Sequence, residues 1–386
     1  MVSIFALRPD RSHLAPTGGD EGIRTPDLLR AKQALSQLSY IPSFIYFNTF
    51  PLKGNLTNNT FPLLNISQNK NREIKMHHLH KYPQDLVKRF EGNPIIDRDD
   101  IPFACNTVFN AGAVKHGKEY LLLLRVEALE GKSCFVLARS YDGYNFEIGK
   151  NPVMEASNEE PFATYEKRGV EDPRITPFED KYYIFYTAYS KYGPRIALAE
   201  TYNFENFKRL ALVSQPGNKD AVLFPERINN LFIRFDRPST GPTGDIWISY
   251  SPDSIYWGRS KVAMEIRPGF WDSDKIGAGA PPIKTEKGWL EIYHGVKGTG
   301  AGRIYRLGCA LFDLDNPSKL IGRSKIPILS PKEYYERTGD VPNVIFTCGV
   351  IPEDDGEVKI YYGAADTCIC VATCQLQDLL SSCLHH

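Results

Sequence analysis

"DKYYIFYTAYS" occupies residues 180–190, and "PRIALAETYNF" follows at 194–204. Each is a β-prone run rich in aromatic and branched side chains, the residues that fit a pleated surface. The pair recurs. "KEYLLLLRVEA" (118–128) precedes "SCFVLARSYDG" (133–143), and "NNLFIRFDRPS" (229–239) precedes "GDIWISYSPDS" (244–254). "KGWLEIYHGVK" (287–297) precedes "YRLGCALFDLD" (305–315), and "GEVKIYYGAAD" (356–366) precedes "TCICVATCQLQ" (367–377). Four of the second runs end in a turn-forming acid or Asn.

The units start about 50 to 70 residues apart, a spacing that suits propeller blades with long insertions. Helical periodicity is confined to "PQDLVKRF" (83–90), "PKEYYERTG" (331–339) and "LQDLLSSC" (376–383). Many short strands with few helices indicate an all-β domain. The five-fold recurrence predicts a five-bladed β-propeller with a central pocket ringed by inter-strand loops. A β-sandwich would explain the short strands but not the recurrence.

Composition narrows the function. The chain has 386 residues, with 46 Lys plus Arg against 46 Asp plus Glu. That balance argues against a general nucleic-acid binder. No apolar run is long enough for a membrane-spanning helix, and the N-terminus lacks the order of a signal peptide. Eight cysteines include no C-x-x-C pair. Cys368 and Cys370, two apart, suit one face of a strand rather than a metal site. Buried thiols in a reducing cytoplasm are the expectation, with no metal and no cofactor. Residues 1–75 carry Asn- and Ser/Thr-rich text without sustained period, whereas Met76 opens "MHHLHKYPQDLVKRFEGNPII". We expect 1–75 to be a disordered or spurious extension and 76–386 to be the propeller.

Charged residues recur where the runs end. Arg125 closes "LLLLR", Arg234 and Arg237 lie in "IRFDRP", His294 ends "EIYH" and Asp366 ends "YYGAAD". Lys219 and Asp220 precede "AVLFPER", Lys275 lies in "WDSDKIGAGAPPI", and Tyr305 opens a second run. Any one alone reads as a solvated strand end. At equivalent places in successive units, a propeller would aim them at its axis, giving both an anion site and a sugar site. "GAGAPP" (277–282) lacks the Lys-Ser/Thr of a nucleotide loop and reads as tight backbone beside a ligand or a turn. In "RGVEDPR" (168–174), Asp172 is the leading acid candidate; a structural Arg–Asp turn is the alternative.

Several stretches together resemble glycoside hydrolase family 130, the β-mannoside phosphorylases and related mannosidases. They are "NTVFNAGAV", "GVEDPRIT", "YYIFYTAYS", "KDAVLFPERI", "DKIGAGAPPI", "WLEIYHGV", "RLGCALFDLDNPSKLIGR" and "IYYGAAD", in the same order from residue 92 onward. The resemblance implies a five-bladed propeller that cleaves a β-1,4-mannoside with inorganic phosphate, giving α-mannose 1-phosphate with inversion. It places the general acid on Asp172. A cationic cradle for phosphate falls on Lys219, Arg237, Lys275 and His294, with Tyr305 in addition. Sugar contacts fall on Asn110, Arg125, Arg174 and Asp366, with Arg174 also supporting the acid. Asp236 stands where some members are expected to carry His. Two other readings stay open: a β-mannosidase on the same fold and a non-catalytic sugar-binding propeller. The partners expected are an oligosaccharide and phosphate; the acceptor sugar and any homo-oligomer are not legible.

Overall fold

In a computed structural model of the chain, residues 85–239 and 244–384 are described. The expectation for residues 1–75 lies outside them. Five antiparallel sheets follow one another along the chain. Blade 1 comprises Cys105–His116, Glu119–Ala128, Ser133–Ser140 and Glu147–Ile148. Blade 2 comprises Val170–Phe178, Lys181–Ser190, Gly193–Thr201 and Lys208–Leu212. Asn218–Leu223, Phe232–Pro238, Ile246–Ser251 and Gly258–Met264 form blade 3. Lys275–Ala278, Gly288–Thr299, Gly302–Phe312 and Leu320–Arg323 form blade 4, where Ile283–Thr285 also pairs with the second strand. Blade 5 has Ile345–Pro352, Glu357–Ala364 and Cys368–Gln375.

Blade 5 is completed from the other end of the chain. Lys88–Arg89 and Ile96–Asp97 both pair with Cys368–Gln375, through Lys88↔Thr373 and Ile96↔Ile369. This joins early strands to late ones and closes the ring, so the sheet edge is covered rather than left as a template for association. "PQDLVKRF" therefore supplies a strand at Lys88–Arg89, not a helix: partnership with the last blade overrides its local periodicity. The other two helical expectations correspond to helices at Tyr334–Arg337 and Leu376–Leu384.

The second strands read as unbroken apolar runs because both of their faces are covered by neighbouring blades. Leu121, Leu122, Leu123 and Leu124 are all fully buried. Leu121 and Leu123 join Ile175, Ile184 and Tyr186 of blade 2 in one core. Leu122 and Leu124 join Tyr361, Ile369 and Val371 of blade 5 in another. The period of two thus sorts side chains between two inter-blade cores instead of between core and solvent. Cys368 and Cys370 share a face as their spacing predicts, and both lie in a third core, with Ile360 and Tyr362 of blade 5 and Leu290 and Ile292 of blade 4.

The turn-forming acid or Asn also has a physical role. Asp142 accepts from the backbone N–H groups of Tyr144 and Asn145, Asn203 from Glu205 and Asn206, Asp253 from Ile255 and Tyr256, and Asp313 from Asp315 and Asn316. The same Asx turn therefore closes the third strand of blades 1 to 4.

Candidate active site

The two-run units omit the innermost strand of each blade, and that strand carries much of the site. Its register slips between Phe109 and Gly112 in blade 1, Glu171 and Arg174 in blade 2, and Lys219 and Val222 in blade 3. At these bulges Asn110, Asp172 and Asp220 adopt left-handed backbone, with φ of 51°, 51° and 57°. Asn and Asp tolerate that region better than other side-chain-bearing residues. A bulge re-aims a side chain out of the ladder. Here it turns three polar groups out of their strands, Asn110 and Asp172 onto the cavity wall and Asp220 behind it.

A cavity of about 450 Å³ is lined by Asn110, Arg125, Asp172, Lys219, Arg237, Lys275, His294, Tyr305 and Asp366. Nine of the ten expected site residues thus meet in one space contributed by all five blades. Thr107, Phe109, Glu127, Asp340, Val341, Val344 and Phe346 complete the lining. These were not singled out in the sequence, since a wall residue without repeat position or charge pattern carries no signal there.

Arg174 is the exception. It is 1% exposed and lies behind the wall rather than on it. Its Nε donates to Gly279 O at 3.0 Å, and its Nη1 donates to Asp172 O at 2.9 Å. The expected sugar contact at Arg174 is corrected to a backbone brace beneath the acid. Asp236 is also off the cavity: it is buried and bonds Arg234 Nε at 2.9 Å. Arg237 turns the other way and bonds Asp220, so the residue type at 236 does not set its partner.

On one side of the cavity, Asp172 Oδ1 accepts from Asn110 Nδ2 and from Arg125 Nη1, each at 2.9 Å. Both bonds fall on one oxygen, which leaves Oδ2 for a ligand. Arg125 Nη2 also donates to Glu171 Oε1 at 2.9 Å. Burial alone would raise the Asp172 carboxyl, but Arg125, Lys219 and Arg174 outweigh it and hold the group below its ordinary value. Asp366 is pushed the opposite way, up to about 6, by burial and by the charge of Asp172. Thr107 Oγ1 donates to its carbonyl at 2.7 Å.

Lys219 and Lys275 bring cations to the same cavity. Among the described residues, neither Lys219 nor Lys275 has a carboxylate partner within salt-bridge distance, and Lys275 Nζ sits 5.1 Å from the Tyr305 ring centroid. His294 is 1% exposed, and its ring lies 4.5 Å from that of Phe346. Burial, reinforced by Arg237 and Lys275, lowers its pKa to about 3 against the pull of Asp220. His294 is therefore neutral, a hydrogen-bonding group rather than the cation expected from its type. Both ring nitrogens are buried without a hydrogen-bond partner, a costly state that a bound ligand would relieve. Unpaired lysines with an unsatisfied imidazole make a site suited to an oxyanion.

The chain matches the family model described as β-1,4-mannooligosaccharide phosphorylase over residues 78–384. It is 37% identical to a β-1,2-mannobiose phosphorylase of Listeria innocua, over 76% of this chain and 97% of that protein. It is 35% identical to a β-1,4-mannooligosaccharide phosphorylase of Ruminococcus albus, over 77% of this chain and 90% of that protein. The solved structure of the Listeria innocua enzyme in complex with β-1,2-mannobiose superposes with a TM-score of 0.70 at 33% identity, covering 77% of this chain and 99% of that one. The chain belongs to glycoside hydrolase family 130.

Proposed function

We propose that this protein is an inverting β-mannoside phosphorylase whose acid is Asp172 and whose phosphate site is formed by Lys219, Arg237 and Lys275 with His294 and Tyr305. The observation that carries the reading is that Lys219 and Lys275, without a carboxylate partner among the described residues, share one cavity with Asp172, whose carboxylate is held by Asn110 and Arg125. An inverting hydrolase needs a second carboxylate to deprotonate water. Phosphate is already anionic, so it needs a cationic cradle in line with the anomeric carbon instead.

In this mechanism Asn110, Arg125 and Asp366 hold the mannosyl unit against Asp172. A phosphate oxygen attacks the anomeric carbon on the face opposite the leaving group. The glycosidic C–O bond breaks, and the proton of Asp172 reaches the leaving oxygen through the 3-hydroxyl of the mannose. The products are α-mannose 1-phosphate and the acceptor sugar. The relatives divide between β-1,2 and β-1,4 linkages; we assign β-1,4, following the description of the family model that spans the propeller. No helix among the described residues is long and apolar enough to cross a membrane. Six of the eight thiols are buried, which fits a reducing compartment, and we place the enzyme in the cytoplasm.

Incubation with β-1,4- and β-1,2-mannobiose, each with and without phosphate, tests the reading. Phosphate-dependent α-mannose 1-phosphate from the β-1,4 disaccharide is expected. Free mannose at equal rate without phosphate would establish a hydrolase, and preference for the β-1,2 disaccharide would overturn the linkage.

A further inference from the structure

Asp220 does not line the cavity, yet three basic side chains of the site converge on it. It is 1% exposed and sits at the blade 3 bulge between Lys219 and Ala221. Its Oδ2 accepts from Arg237 Nε at 2.8 Å and lies 3.7 Å from His294 Nε2. Its Oδ1 lies 3.5 Å from Arg174 Nη2, and the other terminal nitrogen of Arg174 holds the Asp172 carbonyl. One buried carboxylate therefore touches the phosphate side and, through a single guanidinium, the backbone of the acid.

The contact requires blade 4 to approach without a side chain. A Cβ on Gly277 would fall 2.6 Å from Asp220 Oδ2 and 2.4 Å from His294 Cε1. Neither distance is tolerable, so the first glycine of "GAGAPP" makes the room in which Asp220 and His294 meet.

We propose that Asp220 is a positioning residue: it fixes Arg237 and His294 for phosphate and, through Arg174, fixes the turn that carries Asp172. Its charge also offsets the cations that must stay buried together before phosphate arrives, since an uncompensated buried charge is strongly destabilising. With the carboxylate lost, Arg237 is free to swing, and His294 loses the buried charge beside which its ring packs at 3.7 Å. The inference rests on the phosphorylase reading above.

The test uses the full chain with Asp220→Asn, which keeps shape and removes charge. KM for phosphate is expected to rise at least ten-fold while KM for the mannoside stays within about two-fold, and kcat falls because the acid turn loosens. The rise in Tm that phosphate gives the wild type should vanish in the variant. A general loss of packing would move both KM values together and would not single out phosphate. Unchanged phosphate KM in folded Asp220→Asn would overturn the assignment. Should that variant fail to fold, Gly277→Ala decides: it displaces the same contact with the charge retained, and an unchanged phosphate KM there is equally fatal. Wild type run in parallel separates the two layers. A wild type without phosphate-dependent product defeats the phosphorylase reading itself, whereas an active wild type matched by its variant defeats the Asp220 role alone.

Discussion

Arg125 Nη1 lies 2.9 Å from Asp172 Oδ1, and this contact favours the charged form of the very group that must deliver a proton. The conflict resolves if phosphate supplies the missing negative charge. Lys219 both lowers the Asp172 pKa and lines the cavity where phosphate would bind. A bound dianion spends the field of that lysine on itself and adds its own repulsion, and both effects raise the Asp172 pKa.

Phosphate binding should therefore draw a proton onto Asp172. Calorimetric titrations of phosphate in buffers of different ionisation heat report the protons exchanged. Wild type is expected to take up close to one more proton than Asp172→Asn near neutral pH. Equal proton counts for the two proteins would show that the acid is protonated by some other route.

Asp366→Asn should trade activity for stability. The folded pKa of about 6 lies above the ordinary 3.8, so the native state binds a proton that the unfolded chain has lost. The wild-type contribution is thus fully present below about pH 4 and is lost as pH rises through 6. Asn carries no charge and avoids that loss. Its stability advantage should grow between pH 4 and 6 and level off above, at roughly 1 to 3 kcal/mol. Chemical denaturation across that range checks it. A variant less stable than wild type at pH 8 would contradict the buried-charge account, while turnover should fall in either case if Asp366 holds the sugar.

Truncation to Met76 should leave the catalytic unit intact. The family match begins at residue 78, and the strand that closes blade 5 begins at Lys88. Turnover and Tm of chains starting at Met1 and Met76 should agree. A large loss of either on truncation would make the leading segment part of the working protein.

The blades were legible in the sequence because burial on both faces writes a run such as Leu121–Leu124, and because Asx turns repeat Asp142, Asn203, Asp253 and Asp313 at corresponding places. The innermost strands were harder to read. Their bulges at Asn110, Asp172 and Asp220 interrupt the period of two, so each looks like a loop with stray polar residues. Charge type located most of the cavity wall, but type alone assigned the wrong state to His294 and the wrong surface to Arg174. Both errors have one cause: a basic side chain is charged and ligand-facing only where its surroundings allow it, and burial of His294 at 1% exposure and of Arg174 behind the wall is a tertiary property. Asp220, noted in the sequence beside Lys219, was given no role for the same reason, since its partners come from blades 2, 3 and 4.

Replacement of the acid and of the cradle should give different kinetic signatures. Lys275→Ala removes a cation that faces the cavity and has no carboxylate partner among the described residues, so the fold loses little. Loss of one charge-assisted hydrogen bond to phosphate should cost roughly 1.5 to 3 kcal/mol. At about 1.4 kcal/mol per factor of ten, that is on the order of ten- to a hundred-fold in the phosphate-dependent rate. Asp172→Asn keeps the shape and still accepts from Arg125, but it has no proton to give. Turnover should collapse while phosphate and mannoside still bind, as phosphate-induced Tm shifts and substrate protection would show. If Asp172 merely braced its turn with Arg125 and Arg174, the variant would instead melt lower and keep most of its activity. A folded Asp172→Asn protein with near-normal turnover therefore removes the acid from this site. A Lys275→Ala protein with unaltered phosphate dependence removes the cradle, and the chemistry would then have to be hydrolysis.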